Sequence, residues 1–204
     1  VVSDDVVYPA TDDDGTRNRL HGLPLAVDTL ALFYNKDILD AAGIPEPPKT
    51  WESFLRDVVT LTKYDATGGI AQSGAAIGTG SNVERSSDII SLLMMQSGSQ
   101  MSAANGTATF ANPSQGARVP ASVNAVRFYT DFANSTKEAY TWDPGFTNSI
   151  DAFATGQTAF FIGYSYHIPL IEARAQKLNY EIAYVPQLSE SQRINYANYW
   201  IETV

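Results

Sequence analysis

The sequence predicts an α/β protein, and three observations support that class. Short apolar runs that suit buried strands alternate with amphipathic segments of helical spacing. Capping residues and glycine- or proline-rich turns separate the two kinds of segment. The chain has 204 residues, 44% of them hydrophobic and 17% charged, which is typical of a globular protein with a sizeable core.

The charge and cysteine content exclude several classes of function. The net charge of −9 argues against nucleic acid or an anionic membrane as a partner. The sequence has no cysteine, so thiol catalysis and disulfides are excluded. No apolar run approaches the length that a bilayer span requires, and the first residues do not have the pattern of a signal peptide.

The first 21 residues are polar and rich in aspartate, and the run TDDDGTRN raises the question of a calcium loop. Aligning Gly15 with the invariant glycine of an EF-hand loop puts Ala10 at the first position and His21 at the last. Both positions require an acidic ligand, so the test fails. The segment is predicted to be a solvated turn.

The clearest pattern lies in Gly22–Trp51. It begins with a nearly continuous apolar run over Val27–Tyr34, which suits a single strand buried on both faces. Asn35 then stands where the N-cap of a helix belongs, and Gly43 stands where a C′ glycine ends it. Prolines follow, and Thr50 is the N-cap of the next helix.

The remaining chain continues the alternation, with residues 63–69 predicted as a turn and 98–118 as a loop. Further helices are predicted over residues 51–62, 86–96, 122–133 and 149–155. Another helix is predicted to begin with Pro169 at its first position. Further strands are predicted over 75–77, 159–162, 180–186 and 195–204.

Four motifs, in this order and at this spacing, resemble the extracellular solute-binding proteins of ABC importers, the family-1 group that includes maltose- and other sugar-binding proteins. The motifs are Gly22-Leu23-Pro24, Tyr34-Asn35-Lys36-Asp37, Ala42-Gly43-Ile44 and Pro47-Pro48-Lys49-Thr50-Trp51. The segments Phe153–Phe161 and Tyr180–Pro186 resemble later parts of the same family. The resemblance implies the two-lobed periplasmic-binding-protein fold of type II.

The resemblance also implies how the chain is organised. Residues 1–26 would be the end of the first lobe, 27–195 the second α/β lobe, and 196–204 a strand returning to the first lobe. The chain is therefore expected to be a middle fragment that lacks most of the first lobe, with two hinge-crossing strands. The full-length protein would lie at the extracellular face of the membrane or in the periplasm, lipid-anchored or secreted.

The implied function is noncatalytic capture of a small solute, a sugar or oligosaccharide, for delivery to an ABC permease by hinge closure, with no cofactor. Sugars present flat CH faces between hydroxyl groups, so aromatic rings and hydrogen-bonding side chains together form their sites. For Trp142, covering a helix end is an equally good interpretation. The residues expected to bind the ligand are Asp28, Asn82, Arg85, Trp142, Tyr164, Ser165, Tyr166, Asn198 and Trp200.

The alternative function is a carbohydrate-active enzyme, because two facing carboxylates can hydrolyse glycosides. The acids that could be arranged in this way are Asp28, Glu84, Asp143 and Asp151. A serine hydrolase is disfavoured, since the turn around Ser165 lacks the last glycine of a nucleophile elbow and His167 is only two residues away. A dinucleotide fingerprint fails at Val83, and metal-ligand spacing is absent from the sequence.

Overall fold

The computed structural model describes three ranges of residues, 6–12, 14–113 and 116–203. The chain divides into two compact units, a larger one of Leu30–Tyr196 and a smaller one of Val1–Thr29 with Ala197–Val204. Part of the aspartate-rich start of the chain, including Asp4, Asp5 and Asp13, lies outside the described residues.

The described strands and helices largely follow the predicted alternation. The strands are β1 (Val7–Asp12), β2 (Gly15–Leu20), β3 (Leu23–Thr29), β4 (Ala31–Asn35), β5 (Lys63–Tyr64), β6 (Ile70–Ala75), β7 (Thr158–Gly163), β8 (Tyr180–Tyr184) and β9 (Ala197–Glu202). The helices are α1 (Lys36–Ala41), α2 (Trp51–Leu61), α3 (Ser86–Gln96), α4 (Ala121–Asp131), α5 (Ser149–Ala154) and α6 (His167–Arg174).

The smaller unit consists of two antiparallel strand pairs, β1 with β2 and β3 with β9. The pairing of β1 with β2 corrects the expectation of a solvated turn over the first 21 residues. Gly15 begins β2 with a φ of 107°, a conformation that glycine adopts far more easily than other residues. The polar composition concealed these strands because both faces of β2 are exposed.

The larger unit is built on a five-stranded sheet with the order β5-β6-β7-β4-β8. Strand β4 lies between β7 and β8 and runs antiparallel to both, and β6 runs parallel to β7. Side chains on alternate positions of β4 enter two separate cores: Leu32 and Tyr34 pack on one side, and Phe33 packs on the other with Phe161. The prediction of a strand buried on both faces is confirmed for β4.

The predicted caps form as expected. The Asn35 side chain accepts a hydrogen bond from the Ile38 amide at 3.1 Å, and Thr50 and Ser53 form a reciprocal capping box. The helix predicted over 86–96 is observed with the same limits. Local sequence patterns therefore placed α1, α2 and α3.

Further local predictions were also wrong. The run over 27–34 is not one strand, because it is divided at Leu30 between β3 and β4, which belong to different sheets, and Val27 is exposed. The strand predicted over 75–77 instead ends at Ala75. Pro169 is the third residue of α6 rather than the first, a position where its missing N–H is still tolerated because first-turn amides have no partner within the helix.

Candidate functional site

Two tyrosines and one arginine meet at the turn between β7 and α6. Tyr164 is fully buried, whereas Tyr166 is 39% exposed, and their rings lie 5.9 Å apart at an interplanar angle of 22°. The Cζ atom of Arg85 lies 5.6 Å from the centroid of the Tyr164 ring and 5.5 Å from that of the Tyr166 ring. Arg85 Nε also donates a hydrogen bond of 2.8 Å to the Tyr166 hydroxyl. Arg85 therefore contacts both the exposed ring of Tyr166 and the buried ring of Tyr164.

The backbone of Arg85 adopts an unfavourable conformation. It is the N-cap residue of α3 and has a φ of 58°, the left-handed region that costs a residue with a Cβ about 1 kcal/mol or more. Among the described residues other than glycine, it alone has a positive φ. This strained position directs a half-exposed guanidinium group at the tyrosine pair.

The buried Tyr164 side chain is hydrogen-bonded to the carboxylate of Asp88. The Tyr164 hydroxyl donates a hydrogen bond of 2.9 Å to Asp88 Oδ2, and Asp88 lies 4.0 Å from the Arg85 Nη1 atom. Burial, followed by the hydrogen bond to Asp88, raises the pKa of Tyr164 well above its ordinary value. Burial also raises the pKa of Tyr196, with Asp88 adding to the rise and Arg85 opposing it.

Arg85, Asp88, Tyr164 and Tyr166 form a cluster of side chains. Two further members of this cluster are Glu84 and His167. His167 is fully buried, and its Nε2 atom lies 2.9 Å from Glu84 Oε2. From the sequence, these two residues were candidates only for hydrolytic chemistry, and Asp88 and Tyr196 were not among the selected residues. Spacing could have suggested three of them, because Glu84 and His167 adjoin selected residues and Asp88 follows Arg85 by about a helical turn, whereas Tyr196 has no such signal.

Asn82 and Trp142 have structural roles, which corrects the expectation that they contact ligand. Trp142 is fully buried, and its indole N–H donates a hydrogen bond of 3.0 Å to Asn82 Oδ1. The Asn82 amide donates to the carbonyl oxygens of Asp143 and Phe146, and Thr79 donates to its oxygen. These four bonds use the full hydrogen-bonding capacity of the Asn82 side chain, so none remains for a solute.

The other expected ligand-binding residues occupy two places. Ser165 is exposed in the turn that carries the tyrosines. Asp28, Asn198 and Trp200 belong to the smaller unit, where Asp28 lies opposite Asn198 in the β3–β9 pair. Asn198 and Trp200 are two positions apart on one strand and therefore share a face of that pair, and Trp200 is largely exposed.

The carboxylates considered for glycoside hydrolysis have separate partners. Glu84 contacts His167, and Asp151 forms an ion pair of 2.9 Å with Arg174. Asp143 accepts hydrogen bonds from the Tyr140 hydroxyl and from the Gly145 amide. Each of these contacts holds one loop or helix in place, so the local geometry favours a structural role for these acids.

A cavity of about 500 Å³ lies elsewhere on the larger unit, between α2 and α4. Its walls include Leu55, Val59 and Phe128, and none of the expected ligand-binding residues lines it. Within the described ranges, His, Asp and Glu do not form a group of three or more that could hold a metal ion. Every helix in those ranges is too short or too polar to cross a bilayer.

Comparison with known proteins gives a consistent family. A family model described as bacterial extracellular solute-binding protein matches residues 3–204. The chain is similar in structure to an ABC transporter solute-binding protein of Thermotoga lettingae bound with α-D-tagatose, with a TM-score of 0.69 and 23% identity over 89% of this chain. It is also similar to UgpB of Mycobacterium tuberculosis in complex with glycerophosphocholine, with a TM-score of 0.65 and 20% identity over 92% of this chain.

The chain spans less than half the length of these neighbours, 44% of the first and 42% of the second. It is also 39% identical over 51 residues to a protein of Brucella abortus whose name describes it as a binding protein, a match that covers 25% of this chain and 12% of that protein. At these identities, the structural similarity shows the fold.

Proposed function

Since the chain belongs to the family of bacterial extracellular solute-binding proteins, we propose that it contributes to noncatalytic binding of a small neutral solute rich in hydroxyl groups, a sugar or oligosaccharide. The full-length protein would deliver this solute to an ABC permease. The observation that carries the proposal is the half-exposed Tyr166 ring, whose hydroxyl Arg85 fixes at a strand-to-helix turn.

The geometry of Tyr166 suits a sugar ring. The ring rests on the His167 imidazole, with 4.1 Å between the centroids, and Arg85 holds its hydroxyl, so an exposed aromatic ring has a fixed orientation here. An aromatic face of this kind can pack against the CH groups of a pyranose. Arg85 uses Nε for Tyr166, and the terminal nitrogens of its half-exposed side chain carry further N–H donors that suit hydroxyl oxygens.

The local charge favours a neutral solute over an anionic one. Asp88 lies 4.0 Å from the Arg85 guanidinium and Glu84 is the preceding residue in the chain, so this segment carries two carboxylates and one cation. A phosphate or carboxylate ligand would meet net negative charge here, and it would also meet the overall charge of −9. The tagatose bound to the Thermotoga lettingae protein is a neutral sugar, in line with this preference.

We further propose that Ser165 in the same turn contacts the solute, and that Asp28, Asn198 and Trp200 of the smaller unit are also ligand-binding residues of the full-length protein. Their polar and aromatic side chains are of the kind that sugar sites use. Closure about the two crossing strands would then bring the solute into contact with both lobes, and this differential contact would favour the closed form. Attachment of the full-length protein by a lipid anchor, or its secretion, belongs to the same proposal.

The test is a thermal-shift screen of the full-length protein against D-tagatose, D-mannitol, mannobiose and glycerophosphocholine, followed by calorimetry on any compound that stabilises it. A neutral compound should bind, and the Tyr166→Ala variant should bind it much more weakly. The isolated chain should bind weakly or not at all, because it would supply only part of the site. Exclusive binding of the charged compound, or turnover of an oligosaccharide, would contradict the proposal.

A further inference from the structure

His167 contacts the Tyr166 ring from the interior of the larger unit. It is fully buried, its ring centroid lies 4.1 Å from that of Tyr166, and the two rings are inclined by 31°. On another side, the edge of Phe161 approaches the imidazole at 5.0 Å. The exposed tyrosine therefore rests on a side chain that has little freedom to move.

Both nitrogens of His167 are bonded. The Tyr164 amide donates a hydrogen bond of 2.9 Å to Nδ1. A backbone N–H can only donate, so Nδ1 must accept and the imidazole proton lies on Nε2. Nε2 then donates to Glu84 Oε2 at 2.9 Å. The tautomer and the orientation of the ring are both set by these two bonds.

The backbone leaves room for this arrangement at one position. A Cβ atom added to Gly163 would lie 2.8 Å from His167 Nδ1 and 2.6 Å from the Phe161 ring. Both distances are shorter than a carbon atom tolerates, so glycine at the end of β7 permits the imidazole to approach the turn.

The loop before α3 and the turn before α6 are thus joined by two adjacent contacts. Glu84 binds His167, and the next residue, Arg85, binds Tyr166. Adjacent residues of one segment hold adjacent residues of the other. A change at His167 therefore affects both the support of the Tyr166 ring and the position of the loop that carries Arg85.

We propose that His167 is a positioning residue for solute binding: its imidazole, fixed by Tyr164 and Glu84, supports the inner face of the Tyr166 ring and presents the outer face to a sugar. This inference rests on the function proposed above and adds a residue that does not itself contact the solute. The substitutions His167→Asn, His167→Gln and His167→Phe separate its parts. Asparagine can keep the acceptor for Tyr164, glutamine can keep the donor to Glu84, and phenylalanine keeps only the ring.

The first measurement needs no solute. NMR spectra of the full-length protein with labelled tyrosine report the Tyr166 ring, which the His167 imidazole shifts by its ring current. In His167→Asn and His167→Gln, we expect the Tyr166 signals to broaden or move to averaged positions, whereas His167→Phe should retain one shifted set. Unchanged Tyr166 signals in His167→Asn and His167→Gln would overturn the proposal, whether or not any sugar binds.

The second measurement is a double-mutant cycle on affinity for D-tagatose, or for whichever neutral compound the screen identifies. His167→Asn should weaken binding about tenfold, as expected for coupled residues in contact, and should have little further effect in a Tyr166→Ala background. Ile171→Ala is the matched control, because Ile171 is buried on the same helix. It should destabilise folding without changing affinity.

The outcomes separate the two proposals. If Tyr166→Ala weakens binding and His167→Asn does not, the positioning role of His167 is wrong and the proposed function is still supported. Additive effects of His167→Asn and Tyr166→Ala would have the same meaning. If no neutral solute binds, the proposed function fails, and the NMR result still decides whether His167 orders Tyr166.

Discussion

Two aromatic segments of the larger unit have similar compositions and opposite environments. In Tyr140–Gly145, Trp142 is fully buried and its N–H bonds to Asn82. In Gly163–His167, Tyr166 is 39% exposed and its hydroxyl bonds to Arg85, which is itself half exposed. The two segments differ in the hydrogen-bond partner of the aromatic side chain. The Trp142 N–H bonds to the buried Asn82 amide in the core, whereas the Tyr166 hydroxyl bonds to the half-exposed Arg85 side chain at the surface.

The largest expected effect is on stability, in the first segment. Trp142→Ala should lower the free energy of unfolding by about 3–5 kcal/mol, the usual loss for deleting a buried aromatic side chain. It also removes the N–H that Asn82 binds and the edge contact with Phe146 at 5.0 Å. Urea denaturation followed by circular dichroism measures the loss.

Trp142→Phe is the control, because it keeps an aromatic ring and removes the N–H. It should cost less than Trp142→Ala. A Trp142→Ala variant that kept its stability and lost affinity for a solute would reverse the comparison and return Trp142 to the binding site.

The next effect concerns binding, in the second segment. Tyr166→Ala should reduce the binding free energy by about 2 kcal/mol, roughly thirtyfold in affinity, as for an aromatic residue that dominates a contact. Calorimetry with the neutral solute from the screen measures it. Tyr184→Ala is the control, since Tyr184 is an exposed tyrosine of the same unit outside the cluster. Equal losses for the two variants would contradict a specific role for Tyr166.

Local sequence patterns were sufficient to predict several elements of the larger unit. The caps at Asn35 and Thr50 and the limits of α3 followed from local rules, because each depends on residues a few positions apart. The alternation of buried residues in β4 followed in the same way. The resemblance to the family then supplied an architecture that local patterns alone leave open.

The partners of individual side chains could not be predicted in this way. Trp142 meets Asn82 across 60 positions, and His167 meets Glu84 across 83. Long-range pairs of this kind decide whether an aromatic residue is core or surface, and composition carries no signal for them. The division of the run at Leu30 has the same origin, since apolar character indicates a strand without specifying which sheet it joins.

A smaller effect should appear at alkaline pH. Burial and Asp88 raise the pKa of Tyr164, so the folded state holds this proton more tightly than the unfolded state does. This contribution is complete below the ordinary tyrosine pKa of about 10 and is lost as the pH rises above it. Tyr164→Phe should cost about 1–2 kcal/mol at neutral pH through the lost hydrogen bond, and the variant should lose less stability than the natural protein on going to alkaline pH.

Tyr34 provides the comparison for this measurement. Its pKa is raised to about 12 by burial and by Glu181, and it lies in β4 outside the cluster. Tyr34→Phe should therefore also reduce the alkaline loss of stability while leaving solute affinity unchanged. Urea midpoints recorded at neutral pH and above the ordinary tyrosine pKa test both variants. An alkaline loss in Tyr164→Phe equal to that of the natural protein would show that Tyr164 does not contribute to it.

The smallest expected effect is a difference in stability between two variants of Arg85. Arg85→Gly and Arg85→Ala both remove the guanidinium group, but only glycine relieves the positive φ of 58°. Arg85→Gly should therefore be more stable than Arg85→Ala by about 1 kcal/mol in urea denaturation, while both lose affinity to the same extent. This result would show that the chain accepts backbone strain to direct a cation at an exposed tyrosine, a feature that Trp142 in its buried segment does not need. Equal stabilities of the two variants would mean that the strain is absent in solution, and retained affinity would mean that Tyr166 binds its solute without Arg85.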